Sequence, residues 1–271
     1  MKRLTSIPKR AIATMRFSQK KIIFPFVILA VPALSTTSYA SPNTTANWQG
    51  WYGGLALGGA YSTANPDGTV EHNGYMDAVD TAQVDPVLQR KIEDLDVTGS
   101  ALLGYDFQSG HITYGIEGDL TVMDYSESEG ASGIEYDNNA GRFFTTKTTV
   151  ETNFLLSLRP KVGYATGNFQ FYVSAGPSIG RFKTTVNYSD TNVNGANENF
   201  TDTTMAFGVS SSIGAGYQIG DGWALRGDYV FSYYPDILDG RSDVDNDGDT
   251  DINFGSDFKS HNVRFALIKH F

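Results

Sequence analysis

The sequence predicts an all-β transmembrane barrel: antiparallel, up-and-down, eight strands, short periplasmic turns and four long extracellular loops. Three observations predict it. Segments along the chain alternate apolar and polar residues with a period of two, the rhythm that puts one face of a strand against lipid and the other inside. The connections between them alternate long and short: 63–96, 125–147, 181–203 and 235–258 are long, and 108–111, 165–168 and 220–222 are short. The last segment, 260–271, sets His261, Val263, Phe265, Leu267, Lys269 and Phe271 against Ser260, Asn262, Arg264, Ala266, Ile268 and His270, and ends on an aromatic residue. Phe265, Leu267 and Phe271 are the expected assembly signal.

The chain opens on a segment expected to be removed. Lys2, Arg3, Lys9, Arg10, Arg16, Lys20 and Lys21 precede an uncharged run from Ile22 to Leu34 and a small-x-small site, Ser38-Tyr39-Ala40. This predicts a signal peptide over 1–40, a short segment over 41–47 and the barrel domain over 48–271. The run is too short, and too interrupted by Pro25 and Pro32, for a spanning helix of roughly 20 residues. Met15 is an alternative start that would give a shorter basic region. Cleavage removes seven of the 20 basic residues and none of the 30 acidic ones. The exported chain is strongly acidic, which excludes nucleic acid as a partner because phosphate needs a basic patch. With no cysteine, thiolate metal sites and cysteine nucleophiles are excluded as well.

The strands follow in order. From Trp51 to Ser62 one face carries Trp51, Leu55, Leu57 and Tyr61, and the other is small: Gly54, Ala56, Gly58, Ala60. Val97 to Phe107 and His111 to Asp124 repeat the rhythm. Thr148 to Tyr164 sets Val150, Thr152, Phe154, Leu156, Leu158, Pro160 and Val162 against Glu151, Asn153, Leu155, Ser157, Arg159 and Lys161. Phe169 to Gly180, Thr204 to Ile219, Trp223 to Tyr234 and the C-terminal segment complete the eight.

Most acids fall in the long loops. Those that do not, apart from Asp221 in a turn, share the inner face with basic residues: Asp106, Glu117, Asp119, Glu151 and Asp228 with Arg159, Lys161, Arg226 and Arg264. An eight-stranded barrel is only just wide enough for its side chains, so these charges must pair. The expected pairing sets Glu117 and Asp119 against Arg159 and Lys161, and Asp228 against Arg264, with Arg226 free to reach across. The network reads as a plug that fixes register; the competing reading is an ion pathway.

Certain residues resemble a known family, the small outer-membrane β-barrel proteins that include opacity-type and alphaproteobacterial surface antigens. The carriers are Trp48, Gly50, Tyr52 and Gly54; the run Leu158 to Ala165; Tyr172-Val173 with Gly176; Trp223 to Arg226 with Asp228-Tyr229; and Val263-Arg264 with Phe271. The resemblance implies an outer-membrane barrel that is structural or adhesive, with a few members binding haem or acting as small porins.

Candidate chemistry is sparse. Asp243, Asp245, Asp247, Asp249 and Asp251, with Gly248, space carboxylates like the start of a calcium loop; Phe254 stands where the closing glutamate belongs, and a solvated acidic loop is the competing reading. No other cofactor is expected. His72 and Tyr75 are the loop residues suited to haem. Ser260 and His261 are adjacent in a strand, so they point to opposite faces and make a poor nucleophile and base. The reading is therefore a non-enzymatic, monomeric surface barrel with a charge-plugged lumen. Its partners are outer-membrane lipid, periplasmic chaperones, the barrel-assembly machinery and a host or surface ligand at the loops. The alternatives are a narrow porin-like channel and ligand binding, of calcium or haem, through the loops.

Overall fold

The computed structural model describes residues 45–71, 76–191, 197–243 and 250–271. In chain order the elements are β1 (Gly50–Pro66), β2 (Thr69–Val70), α1 (Ala78–Leu88), β3 (Ile92–Ser109), β4 (Ile112–Glu135), β5 (Phe143–Thr166), β6 (Phe169–Asp190), β7 (Asn197–Gly220), β8 (Trp223–Ser242) and β9 (Ile252–His270). All strand pairs are antiparallel, each barrel strand pairs with the next, and β1 closes on β9 over Tyr52–Pro66. Eight strands form the ring, and the two-residue β2 adds at the far end of β9. Closure removes the free edges that would otherwise invite pairing with another chain.

The outer wall is apolar by the alternation read above. Leu55, Leu57, Leu103, Ile116, Leu158, Phe171, Phe207, Ile213, Leu225 and Phe265 all stand exposed. An aromatic row marks the periplasmic end: Trp51, Tyr105, Phe107, Tyr114, Tyr164, Phe169, Tyr217 and Trp223, joined by ring contacts such as Tyr105–Phe107 at 4.7 Å and Phe169–Tyr217 at 4.8 Å. Rings with one apolar and one wet end suit the lipid–water boundary. At this end residues 45–49 cross the mouth. Trp48 is buried against His270, its backbone N–H donating to Gln108 at 2.7 Å.

The strands are longer than a membrane needs. A spanning strand takes about 9–11 residues, whereas β4, β5 and β7 each have 24. Three segments expected as loops, 125–147, 181–203 and 235–258, are therefore largely strand. Their connections shrink to 136–142, 191–196 and 243–251. The physical reason is an exchange of faces. Along β6 the inner residues are Gln170, Tyr172, Ser174 and Ser178 within the apolar band, then Phe182, Val186 and Tyr188 beyond it. Beyond the band the outward residues meet water, so they are Thr, Lys and Asn, and the apolar residues go inside. A search for lipid-facing apolar alternation loses such strands although their β-branched threonines favour them.

Two apolar clusters fill this upper barrel. Tyr125, Val150, Leu155, Phe182, Tyr234 and Phe258 form the lower one. Above it Tyr136, Phe144, Val186, Tyr188, Leu238, Ile252 and Phe254 pack with Val84 and Leu88 of α1. The helix, which lies within the first expected loop, is started by Asp77, whose carboxylate accepts from the backbone N–H groups of Val79 and Asp80 at 2.8 and 3.0 Å. That cap satisfies two of the orphan donors of a helix N-terminus.

Candidate functional site

The site with the densest chemistry is the lumen between the lower apolar cluster and the periplasmic mouth. Asp106, Glu117, Asp119 and Asp228 meet Arg159, Lys161, Arg226 and Arg264, and all eight are buried. The strands deliver them by register: Glu117 pairs with Arg159 across β4–β5, and Asp228 with Arg264 across β8–β9.

Glu117 is the hub. It accepts from Arg159 Nη2 at 3.0 Å, Arg226 Nη1 at 2.5 Å, Arg226 Nη2 at 3.2 Å and Tyr52 Oη at 2.9 Å. Asp119 accepts from Arg159 Nη2 at 2.7 Å and Thr121 Oγ1 at 3.0 Å, and ion-pairs with Arg264 Nη2 at 2.6 Å. Asp228 takes Arg226 Nη2 at 2.8 Å, Arg264 Nε at 3.3 Å and a short bond from the Tyr172 hydroxyl. Lys161 donates to Asp106 at 2.7 Å and to Tyr52 Oη at 3.0 Å. Four negative and four positive groups leave no net charge. Such burial is tolerated only with partners on nearly every polar atom.

Glycines set these contacts. Tyr52, Gly104 and Glu117 stand in one row across β1, β3 and β4. With no side chain on Gly104, the Tyr52 ring crosses over it to Glu117; a Cβ there would lie 2.4 Å from the ring. Asp106, Gly115 and Lys161 form the next row, and a Cβ on Gly115 would lie 2.5 Å from Asp106 Oδ1.

Two expectations are corrected. Lys161 reaches back to Asp106 over Gly115 instead of pairing with Glu117 or Asp119. Glu151 is not in the lumen: Asn153 and Phe154 both turn off the inner face in a β-bulge, where the pairing shifts between Thr152 and Leu155. The bulge reverses the faces of β5, so Val150 and Thr152 point in and Glu151 points out, paired with Lys183 at 2.6 Å in a solvent-exposed bridge. One extra residue in a strand has this effect. Tyr52 and Tyr172 are site members that sequence reasoning did not name as such, and Asp106, though placed on the inner face, was given no partner. The signal for them was positional: each shares the inner face and meets a glycine across the sheet.

The other candidates separate. Phe265, Leu267 and Phe271 lie outward on or beside β9, toward lipid. Ser260 bonds Ser62 in the lumen, while His261 Nδ1 lies 2.7 Å from the Tyr229 hydroxyl on the outer face. His111 contacts the Ala165 carbonyl at 2.8 Å beside a periplasmic turn, and His270 is wedged between the rings of Trp48 and Tyr52. His72 and Tyr75, with Asp245, Asp247 and Asp249 of the acidic loop, lie outside the described residues, as does the expected signal peptide; Asp243 and Asp251 flank the undescribed stretch. Among the described residues no group of three or more His, Asp or Glu side chains could hold a metal ion.

A closed antiparallel ring, apolar outside and ion-paired within, defines the class: a β-barrel of the outer membrane. Residues 26–259 match the family model described as outer membrane protein beta-barrel domain, and the chain belongs to that family. It is 29% identical over 254 residues to the 31 kDa outer-membrane immunogenic proteins of Brucella melitensis and Brucella suis, covering 89% of this chain and 90% of each relative. Among solved structures it is similar to the outer membrane protease OmpT of Escherichia coli (9% identity, 88% of this chain and 99% of that one, TM-score 0.46). It is also similar to OprG of Pseudomonas aeruginosa (11% identity, 81% and 97%, TM-score 0.39). The protein resides in the outer membrane.

Proposed function

We propose that the protein is a non-enzymatic, monomeric surface barrel whose lumen does not conduct and whose projecting strands are its functional face. The observation that carries this reading is the stacking of layers in the barrel. The eight charges are consumed by one another, a layer of hydroxyls including Ser157, Ser178, Ser210, Ser232 and Ser260 follows, and Phe182, Tyr234 and Phe258 pack above it. A cavity lined by Asp119, Arg159, Ser157 and Ser210 offers about 20 Å³, space for about one water. A conducting path needs continuous water or a gate, and stacking of this kind argues against both.

Support for the non-enzymatic part is the separation, among the described residues, of His111, His261 and His270 from one another and from serine nucleophiles. The Brucella relatives are described as immunogenic; for this chain, contact with external surfaces is part of the proposal and rests on how far the strands project. Phe265, Leu267 and Phe271 are proposed to present the barrel to periplasmic chaperones and the assembly machinery, and the sealed ring supports a monomer.

The test is conductance of the purified barrel in planar lipid bilayers. Silence over the physiological voltage range is expected. Discrete, reproducible openings would overturn the reading and favour the narrow channel.

A further inference from the structure

We propose that a recess on the outer wall, at the β5 bulge, binds the phosphoethanolamine headgroup of an outer-leaflet lipid. The recess encloses about 210 Å³ and is lined by Asp124, Ser126, Glu151, Asn153, Arg181 and Lys183. It sits on the rim of the lipid-facing band: Val122, Leu156 and Ile179 flank it toward the membrane, and Val122 and Leu156 are among the exposed apolar side chains. Acyl chains lie on one side of it and water on the other.

The bulge makes the concavity. Asn153 and Phe154 leave the inner face together, and β5 steps out of register with β4 and β6 at this level. Bulges concentrate at barrel rims, where they re-aim side chains. Within the recess the four charged groups are not equivalent. Lys183 and Glu151 satisfy one another at 2.6 Å. Among the described residues neither Arg181 nor Asp124 has an ion-pair or hydrogen-bond partner for its side chain, although both line the same hollow. They stand on β6 and β4, two strand spacings apart, roughly 10 Å.

A cation and an anion held apart across a polar hollow fit a zwitterion better than a simple phosphate, which Asp124 would repel. Phosphoethanolamine carries both charges on a two-carbon linker. The geometry lets Arg181 take the phosphate oxygens through its planar fork, and Asp124 accept from the ammonium, with Asn153 between them and Ser126 beside Asp124. A quaternary choline has no N–H to donate to Asp124. A purely anionic headgroup leaves Asp124 opposed. The apolar rim beneath favours a lipid over a free solute, because the acyl chains stay in the band while the headgroup turns into the wall.

The experiment uses the full barrel in phosphatidylcholine nanodiscs doped with phosphatidylethanolamine or phosphatidylglycerol, with retained lipids counted by native mass spectrometry. Wild type is expected to retain phosphatidylethanolamine roughly threefold to tenfold over the other two, the scale of one charge-assisted hydrogen bond at a wet surface. Arg181→Gln and Asp124→Asn are each expected to abolish the preference; both residues are exposed, and heat-modifiable mobility verifies folding. Equal retention by wild type and both variants overturns the proposal and leaves two solvated charges. Stronger retention of phosphatidylglycerol overturns the zwitterion assignment, and equal binding of free O-phosphoethanolamine overturns the lipid one.

Discussion

Arg226 crosses the lumen to Glu117, 109 positions earlier in the chain, and lies 2.5 Å from its carboxylate. The bond joins β8 to β4, elements that are not neighbours in the ring, so it ties opposite walls together. A second ion pair, Arg264 to Asp119 at 2.6 Å, also crosses the lumen, joining β9 to β4. Glu117→Gln would leave Arg226 and Arg159 buried with one anion fewer. The expected loss is about 3–5 kcal/mol, the usual cost of orphaning a buried charge. Urea unfolding of the barrel in lipid vesicles, followed by Trp fluorescence, measures it.

Gly104→Ala tests the rows of spacer glycines. Its methyl group would lie 2.4 Å from the Tyr52 ring and 2.8 Å from the Ile116 carbonyl, so Tyr52 must leave Glu117 and Lys161. A destabilisation of about 1–3 kcal/mol is expected, with a lower heat-modification temperature on gels. Gly59→Ala is the control: its Cβ meets only the Asp96 carbonyl, at 3.8 Å, and the cost should stay within about 0.5 kcal/mol.

Leu103→Arg places a charge in the middle of the lipid-facing wall, where Leu103 is 60% exposed. The expected penalty is about 2–4 kcal/mol. The same substitution at Thr185, beyond the band on the outer surface of β6, should cost close to nothing. The difference between the two unfolding free energies in vesicles locates the membrane edge along the strands.

Docking of α1 should depend on pH. Asp80 is buried; burial, aided by the charges of Asp77 and Asp190 and opposed by the helix cap, holds its carboxyl above the ordinary carboxylate range. The folded state therefore keeps a proton that the undocked state gives up. Stability from this group is greatest below the ordinary range and declines as pH rises from there through the raised value. Protection of the α1 amides, corrected for intrinsic exchange, is expected to fall over that window in wild type and to stay flat in Asp80→Asn.

What could be read from the sequence was whatever the bilayer imposes. From β3 to the C-terminus, lipid on one side and a packed lumen on the other force a two-residue rhythm, and the inner charges follow from it. The signal failed where that constraint ended. Phe182, Val186 and Tyr188 continue the inner face of β6, but with apolar residues, so the same rule would have turned them outward. Glu151 was lost to a single inserted residue at Asn153–Phe154, which no local composition announces. The helix α1 carried a legible cap in Asp77, yet Pro86 near its end and weak amphipathicity hid it within a stretch otherwise reading as loop.

Pairing Lys161 with Asp106 required knowing that Gly115 stands between them, which is a fact of register and not of spacing. The two tyrosines that joined the network unannounced, Tyr52 and Tyr172, share this origin. Alternation states which face a residue takes. Only the offset between strands states whom it meets.

The exchange of faces along the barrel has an outward consequence. Where the strands leave the bilayer, Lys147 stands opposite Asn187, and Thr185 opposite Thr201 and Thr149. Anything that approaches from outside touches a pleated wall whose adjoining residues come from distant parts of the chain. A peptide copied from a single strand would reproduce none of that surface, so recognition by an antibody or a receptor would vanish on boiling and return with refolding.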